Sequence, residues 1–337
     1  MNFALHYTKG AGYYEQYKEN ETFSDYMLND VVIGGDTIGE SDLIRRKWLE
    51  NDFYGAVGGL HFQDEKVSAV LGGGWNRYDG DHFGTVIWAR YPGAGEIRHR
   101  WYENRGVKSD WNSYLKTTVE AGKRFSLFAD LQIRGIDYSI EGADDDLRNI
   151  TQEHNYMFFN PKAGINFQVD RDQRAYLFVA RANREPNRSN YVDADPAGPV
   201  PVKETLLDYE AGYAFQGQGF SFNGNLYFMD YTDQLVLTGE INDIGSAVMT
   251  NVNDSYRAGI ELSGGIEFTS WLRWDLNATF SRNRILDFTS YVDNWDYWSD
   301  PENETYQVLE ELGTTDLSFS PEIMFNSKLD VEPVKHL

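Results

Sequence analysis

Residues 220–228 alternate: Phe220, Phe222, Leu226 and Phe228 fall on one side of an extended chain, and Ser221, Asn223 and Asn225 on the other. Successive side chains of a strand point to opposite faces, so the pattern predicts a ribbon with oil on one side and water on the other. Four further stretches repeat it. Phe125, Leu127, Ala129, Leu131 and Ile133 form one apolar row, and Met157, Phe159, Ala163, Ile165, Phe167 and Val169 a second. Ala258, Ile260, Leu262, Ile266 and Phe268 make a third; Leu272, Trp274, Leu276, Ala278 and Phe280 make a fourth. Weaker copies occupy 2–9, 53–63, 66–76, 111–122, 174–184, 206–216 and 321–331. The reading is about twelve strands.

The connections carry a second rhythm. QDEK (63–66), GKR (122–124), DRDQR (170–174), QGQG (216–219) and TS (269–270) are short turns. Long irregular stretches are expected between them, at 10–51, 77–110, 140–155, 185–205, 237–254 and 285–319. Short and long alternate, so antiparallel strands joined this way have tight turns at one end and long loops at the other. That arrangement predicts an all-β transmembrane antiparallel barrel with short periplasmic turns and long extracellular loops. A closed sheet is required in lipid, where an unpaired backbone group costs several kcal/mol. Pro161 interrupts the apolar row of one strand and is expected at a bulge or at that strand's external end.

Composition first argues against a membrane. Of 337 residues, 53 are acidic and 30 basic, a net charge of −23, and the mean hydropathy is −0.56. No run approaches the roughly 18 apolar residues of a membrane helix. A barrel escapes this objection, because only alternate residues meet lipid and the loops can be polar. Aromatic residues at 15% with 31 Gly suit pleated surface and tight turns. The acidic balance argues against nucleic acid as a partner, and the absence of Cys removes disulfides and thiolate metal sites. Neither terminus reads as an element boundary: the start lacks a secretory signal pattern, and the chain is expected to be an internal piece of a longer one.

Chemistry is sparse. No nucleophile elbow, zinc-protease motif or phosphate loop occurs, and the six His have no ligand spacing; neither a catalytic residue, a resident cofactor nor a metal site is expected. Binding candidates are better. EIRHRWYENR (96–105) interleaves Arg98, Arg100 and Arg105 with Trp101 and Tyr102, groups suited to an anionic aromatic ligand such as a ferric catecholate; the alternative is a solvated strand extension paired with acidic loops. Arg181, Arg184 and Arg188 stand at the top of a strand, where continued alternation would turn them to the lumen, a ligand or a plug. Trp295, Tyr297 and Trp298 lie among acids and could stack on a sugar or hold a cation, or serve as an aromatic belt. GADDDLRN (142–149) is either a Ca²⁺ loop or a solvated acidic one.

One stretch carries a resemblance. Residues 204–268 run from an acidic start through Tyr209-Glu210-Ala211-Gly212-Tyr213, a turn, and an aromatic strand ending Tyr231-Thr232-Asp233-Gln234-Leu235, then Asn251-Val252 and Gly259-Ile260-Glu261-Leu262. NPKAGINF (160–167) and AYLFVARANREPNRSNY (175–191) precede it. The combination resembles the barrel of TonB-dependent outer-membrane receptors. The resemblance implies a 22-stranded barrel holding an N-terminal plug, driven by a TonB complex and importing a scarce nutrient such as a ferric siderophore or other iron complex. It makes residues 1–337 a partial barrel domain in the outer membrane. Its partners would be membrane lipid, the receptor's own plug, the TonB complex through a segment outside this sequence, and a small nutrient ligand. Left open are an oligosaccharide importer, a plug-less channel or 12-stranded barrel enzyme, and a soluble all-β carbohydrate-binding or adhesive protein.

Overall fold

The computed structural model describes residues 1–91, 98–194, 198–241 and 247–332. Fifteen strands dominate it: β1 (Asn2–Thr22), β2 (Val31–Ile33), β3 (Asp36–Ile38), β4 (Glu40–Gln63), β5 (Val67–Ala89), β6 (Arg100–Ala121), β7 (Phe125–Gly142), β8 (Gln152–Gln168), β9 (Gln173–Arg184), β10 (Glu204–Gln216), β11 (Phe220–Ile241), β12 (Ala247–Thr269), β13 (Leu272–Asp293), β14 (Gln307–Asp316) and β15 (Ile323–Val331). One sheet takes all but the β2–β3 hairpin, ordered β1-β4-β5-β6-β7-β8-β9-β10-β11-β12-β13-β14, with β15 also on β13. β14 pairs the upper half of β13 (Asp293↔Gln307 to Arg284↔Asp316) and β15 its lower half (Phe280↔Ile323 to Leu272↔Val331). The two are therefore one ribbon interrupted at 317–322, where Pro321 lacks an N–H for the ladder and Phe319 takes φ +57°. Counted so, twelve long ribbons stand next to one another in chain order, as the alternation predicts.

Register explains why the rows matter. One row reads Ile165–Leu177–Ala211–Leu226–Ile260–Phe280–Ile323 across seven ribbons, without a charge. A row on the other face reads Gln168–Arg174–Ala214–Asn223–Ser263–Asn277–Asn326. The apolar row is open to its surroundings, with Leu177 60%, Leu226 56% and Ile323 67% exposed. A soluble protein rarely exposes a contiguous apolar patch beyond a few hundred Å². In a membrane wall such a row is the lipid face and the polar one the lumen face. No helix among the described residues is long and apolar enough to span.

The five short turns fall at the predicted places, since the flanking strands end at Gln63, Ala121, Gln168, Gln216 and Thr269. The long connections differ from expectation. Of the predicted loop 10–51, β1 takes all up to Thr22 and β4 everything from Glu40; β5 and β6 likewise invade 77–110, and β13 and β14 invade 285–319. Among the described residues only 140–155 and 185–205 are mostly non-strand, the latter holding the short helix α1 (Arg188–Val192). The cause is physical: a crossing needs about 9–11 residues, and beyond it water bathes both faces, so the ladder continues while oil-and-water alternation stops. Pro161 sits inside β8, where the regular pairing with β9 runs only from Gln168↔Arg174 to Lys162↔Ala180. Just beyond it the Asn160 side chain takes over, accepting from the Asn183 backbone N–H (3.0 Å) and donating to Gln132 Oε1 (3.1 Å). Proline thus stands where the β8–β9 ladder stops, inside a strand that runs on to Gln152 and not at that strand's external end.

The sheet path starts at β1 and ends at the last ribbon, and among the described residues these two do not pair. The chain divides into two compact units: residues 1–60, 71–114 and 133–158, and residues 61–70, 115–132 and 159–337. The first has a buried core of Tyr26, Leu43, Val86, Ala89, Trp101 and Tyr102. The second has a smaller one of Val236, Ile285 and Leu317.

Candidate functional site

In the first unit the Arg–aromatic stretch turns inward on its own protein. Arg98 is exposed, and Glu96 and Ile97 lie outside the described residues. Trp101 is only 1% exposed and Tyr102 7%, so neither offers a face to a ligand in this conformation. The Trp101 indole fits because residue 84 is glycine: a Cβ there would stand 2.2 Å from the ring. Its other neighbours are Tyr26, 5.1 Å away between ring centroids, and the Asp145 carbonyl, which accepts its Nε1–H at 3.3 Å. Arg100 bonds Glu103 at 2.5 Å and lies 3.6 Å over the Phe83 ring. Arg105 forks onto Asp79 with two bonds of 2.6 Å. In this conformation Arg100 and Arg105 are paired with acids and the two rings are core, as the strand-extension alternative anticipates, while Arg98 stays exposed. The acidic loop 142–149 is drawn into the same packing, where Asp145 pairs with Lys47 and Asp146 with Arg148.

Sequence reasoning missed the hub beside this core. Asp42 accepts from Tyr17 Oη (2.7 Å) and the Asn20 N–H (3.2 Å), and pairs with Arg90 (2.5 Å). The Tyr17 hydroxyl, then the Asn20 amide and Arg90, hold its carboxyl below the usual carboxylate range. Tyr26, whose hydroxyl receives Arg45 at 2.8 Å, anchors the 3-10 turn Phe23–Tyr26 against Trp101. No local pattern marks these residues, because their partners come from two separate connections.

In the second unit the three arginines have three different fates. Arg181 shares the apolar face of Leu177 and Val179, opposite the lumen face expected for it. Arg184 stands across from Glu204 and forms an ion pair with it, while Glu204 is 7% exposed and also accepts from the Leu235 N–H (3.1 Å). Arg188 opens α1, because Asn187 caps that helix: Asn187 Oδ1 accepts the Asn190 N–H at 3.0 Å and Asn190 Oδ1 the Asn187 N–H at 2.9 Å. The strand has ended before it, so alternation cannot carry it to the lumen.

The third candidate is an open one. A 3-10 turn, Trp295–Trp298, presents Trp295 78% and Trp298 67% exposed. Tyr297, Trp298 and Tyr306 meet edge to face with centroids 5.4 to 6.0 Å apart, so the rings support each other. Between residues 285 and 327 stand ten Asp or Glu and no Lys, Arg or His. These rings therefore sit in a negative field, suited to a neutral or cationic ligand and opposed to an anionic one.

The lumen face adds a network that the register reveals. Tyr176 donates to Asn225 Oδ1 (2.9 Å) and reaches Glu210 Oε2 (3.2 Å), and Asn225 Nδ2 reaches Glu210 and Glu261 at 3.5 Å. Gly212 makes it possible: a Cβ there would lie 2.1 Å from the Tyr176 ring. The glycine of the Tyr-Glu-x-Gly-Tyr segment thus clears a path for an aromatic ring, while Tyr209 and Tyr213 face outward beside it.

The comparisons with known proteins agree with this geometry. Residues 2–332 match the family model of the TonB dependent receptor-like β-barrel. No curated protein sequence matches. Among solved structures, the copper transporter OprC is similar with a TM-score of 0.60 at 15% identity, covering 72% of this chain and 38% of its own. The siderophore receptor PiuA from Acinetobacter baumannii gives 0.60 at 11% identity over 98% of this chain and 50% of its own. The ferric-catecholate import receptor Fiu from E. coli K12 gives 0.56 at 11% identity over 99% and 50%. This chain therefore spans half or less of the length of each, and at such identities the likeness shows the fold. With apolar rows outward, polar rows inward, short turns at one end and a family match from Asn2 to Glu332, the chain belongs to the TonB-dependent receptor family as a stretch of its transmembrane β-barrel.

Proposed function

We propose that this chain is part of the wall of an outer-membrane receptor for TonB-dependent active uptake of a scarce nutrient, a ferric siderophore or other iron complex. Family membership over residues 2–332 is the observation that carries the reading. Two of the similar structures are named as a siderophore receptor and a ferric-catecholate import receptor, and a third as a copper transporter. In this reading the plug and the TonB-contacting segment belong to the remainder of the receptor, and this stretch contributes wall, loops and lumen lining. The chain acts as a transporter wall and not as an enzyme. Its ligand-facing residues are Arg98 and the ring cluster Trp295, Tyr297 and Trp298, with Arg100 and Arg105 available only if their acid partners are displaced. Deleting the full-length gene and growing the strain on defined iron and carbon sources tests this. Loss of growth on one iron chelate, restored by the gene, supports it; normal growth on every iron source contradicts it.

A second reading, an oligosaccharide importer, is favoured by one observation: the exposed indoles of Trp295 and Trp298 lie in a loop without a cation. Stacking on a sugar face suits them better than holding an anionic chelate. Failure to grow on one oligosaccharide alone would select it.

A further inference from the structure

The outward face of the second unit is not smooth. Toward the short-turn end it holds a groove of about 630 Å³ whose lining is almost wholly apolar. Its floor is made by small residues set among large ones in the ladder: Ala175 between Phe167 and Tyr213, Ala211 between Leu177 and Leu226, and Gly224 between Tyr213 and Leu262. Phe125 and Phe167, stacked with centroids 4.7 Å apart, wall one side. A Cβ added at Gly224 would meet side chains no closer than 3.4 Å, so the floor has room to spare. Lys123 and Arg124 directly precede Phe125 and are exposed, and the Gln168 N–H donates to the Arg124 carbonyl at 2.7 Å, tying that turn to the strand carrying Phe167.

We infer that this groove holds one acyl chain of a glycerophospholipid from the leaflet at the short-turn end, its phosphate resting on Lys123 and Arg124. Lipid tails are as apolar as leucine, so burial alone gives no preference for the groove over the surrounding bilayer. What distinguishes it is shape and charge: a recess lets one chain touch protein on several sides, and two cations beside its mouth meet a phosphate by charge-assisted hydrogen bonds. Turn chemistry supports this occupant over others. In a chain of net charge −23, the GKR turn carries two cations and no acid. The inference rests on the barrel wall and is independent of which nutrient is imported.

The test uses the full-length receptor, purified from mixed phosphatidylethanolamine and phosphatidylglycerol vesicles and examined by native mass spectrometry. One retained phospholipid is expected. Ala211→Trp, which fills the floor on the lipid side, should lower its occupancy at least fivefold, and Lys123→Glu with Arg124→Glu should do so for phosphatidylglycerol. Heat-dependent gel migration checks that each variant folds, and Gly224→Leu replaces Ala211→Trp if that variant does not. Equal occupancy in all variants would overturn the inference, as would a retained mass equal to lipopolysaccharide or to a second copy of the receptor.

Discussion

Two clusters of tryptophan and tyrosine with similar composition meet opposite fates. Trp101 and Tyr102 are buried in the first unit, with Tyr26, Leu43 and Val86 closing over them. Trp295 and Trp298 stay open in the second, on a turn where the Tyr297 and Trp298 rings meet each other and Tyr306. The difference lies in the neighbours. Gly84 and the Phe23–Tyr26 turn give Trp101 a socket, whereas the loop around Trp298 supplies acids and Asn. An aromatic-rich loop is therefore a core when another connection brings small and apolar partners, and a contact surface when none does.

Substitution separates the two most strongly. Trp101→Ala should destabilise its region by about 3–5 kcal/mol, as for large core truncations, read as faster amide exchange in 23–28 and 83–89 of the full-length receptor. Trp298→Ala should leave stability within about 0.5 kcal/mol, as at exposed positions, while weakening ligand binding. Equal effects on stability would erase the contrast.

The wall itself comes next. Leu226→Arg places a charge in the lipid-facing row and should cost about 2–4 kcal/mol near the bilayer midplane. Asn225→Arg, one residue away on the lumen face, should cost much less. Denaturant unfolding from liposomes compares them, and similar costs would contradict the assignment of faces. Gly212→Ala drives a methyl into the Tyr176 ring and should cost about 1–3 kcal/mol by overpacking; Gly212→Ala combined with Tyr176→Ala should recover most of that, measured the same way.

How much of this was readable in advance follows from the same physics. The rows through Leu226 and Asn223 were legible because oil on one side and water on the other impose a period of two, and the five short turns because Gly and charged residues punctuate it. The strand extensions of β4 to β6 were not, since outside the bilayer both faces are wet and the period fades. Trp101's burial was illegible because Tyr26 and Asp145 reach it from distant connections. Alternation inward, the condition on which Arg181 would face the lumen, is not met, because it shares the outward parity of Leu177 and Val179. The exposure of Trp295 and Trp298 was a matter of lacking partners, which a local pattern does not encode.

The smallest expected effect is electrostatic. Asp42 has its carboxyl lowered in the folded protein by Tyr17, Asn20 and Arg90, so its contribution is present above the unfolded carboxylate value of about 3.9 and is lost as pH falls through the lower folded value. Protection of the amides in 17–22, corrected for the intrinsic pH dependence of exchange, should fall on going from pH 5 to pH 2 in the wild type, and Asp42→Asn should show the lower protection at both. A wild type indifferent to pH would remove Asp42 as the hub of that connection.

The central claim is which face of the sheet meets lipid. Spin labels placed singly at Leu226, Ile260, Asn225 and Glu261 in the full-length receptor, reconstituted in liposomes, test it through collisions with oxygen and with a water-soluble nickel chelate. Labels at 226 and 260 should be reached by oxygen and shielded from nickel, and those at 225 and 261 should be shielded from oxygen. The reverse pattern, or four labels alike, would contradict the account.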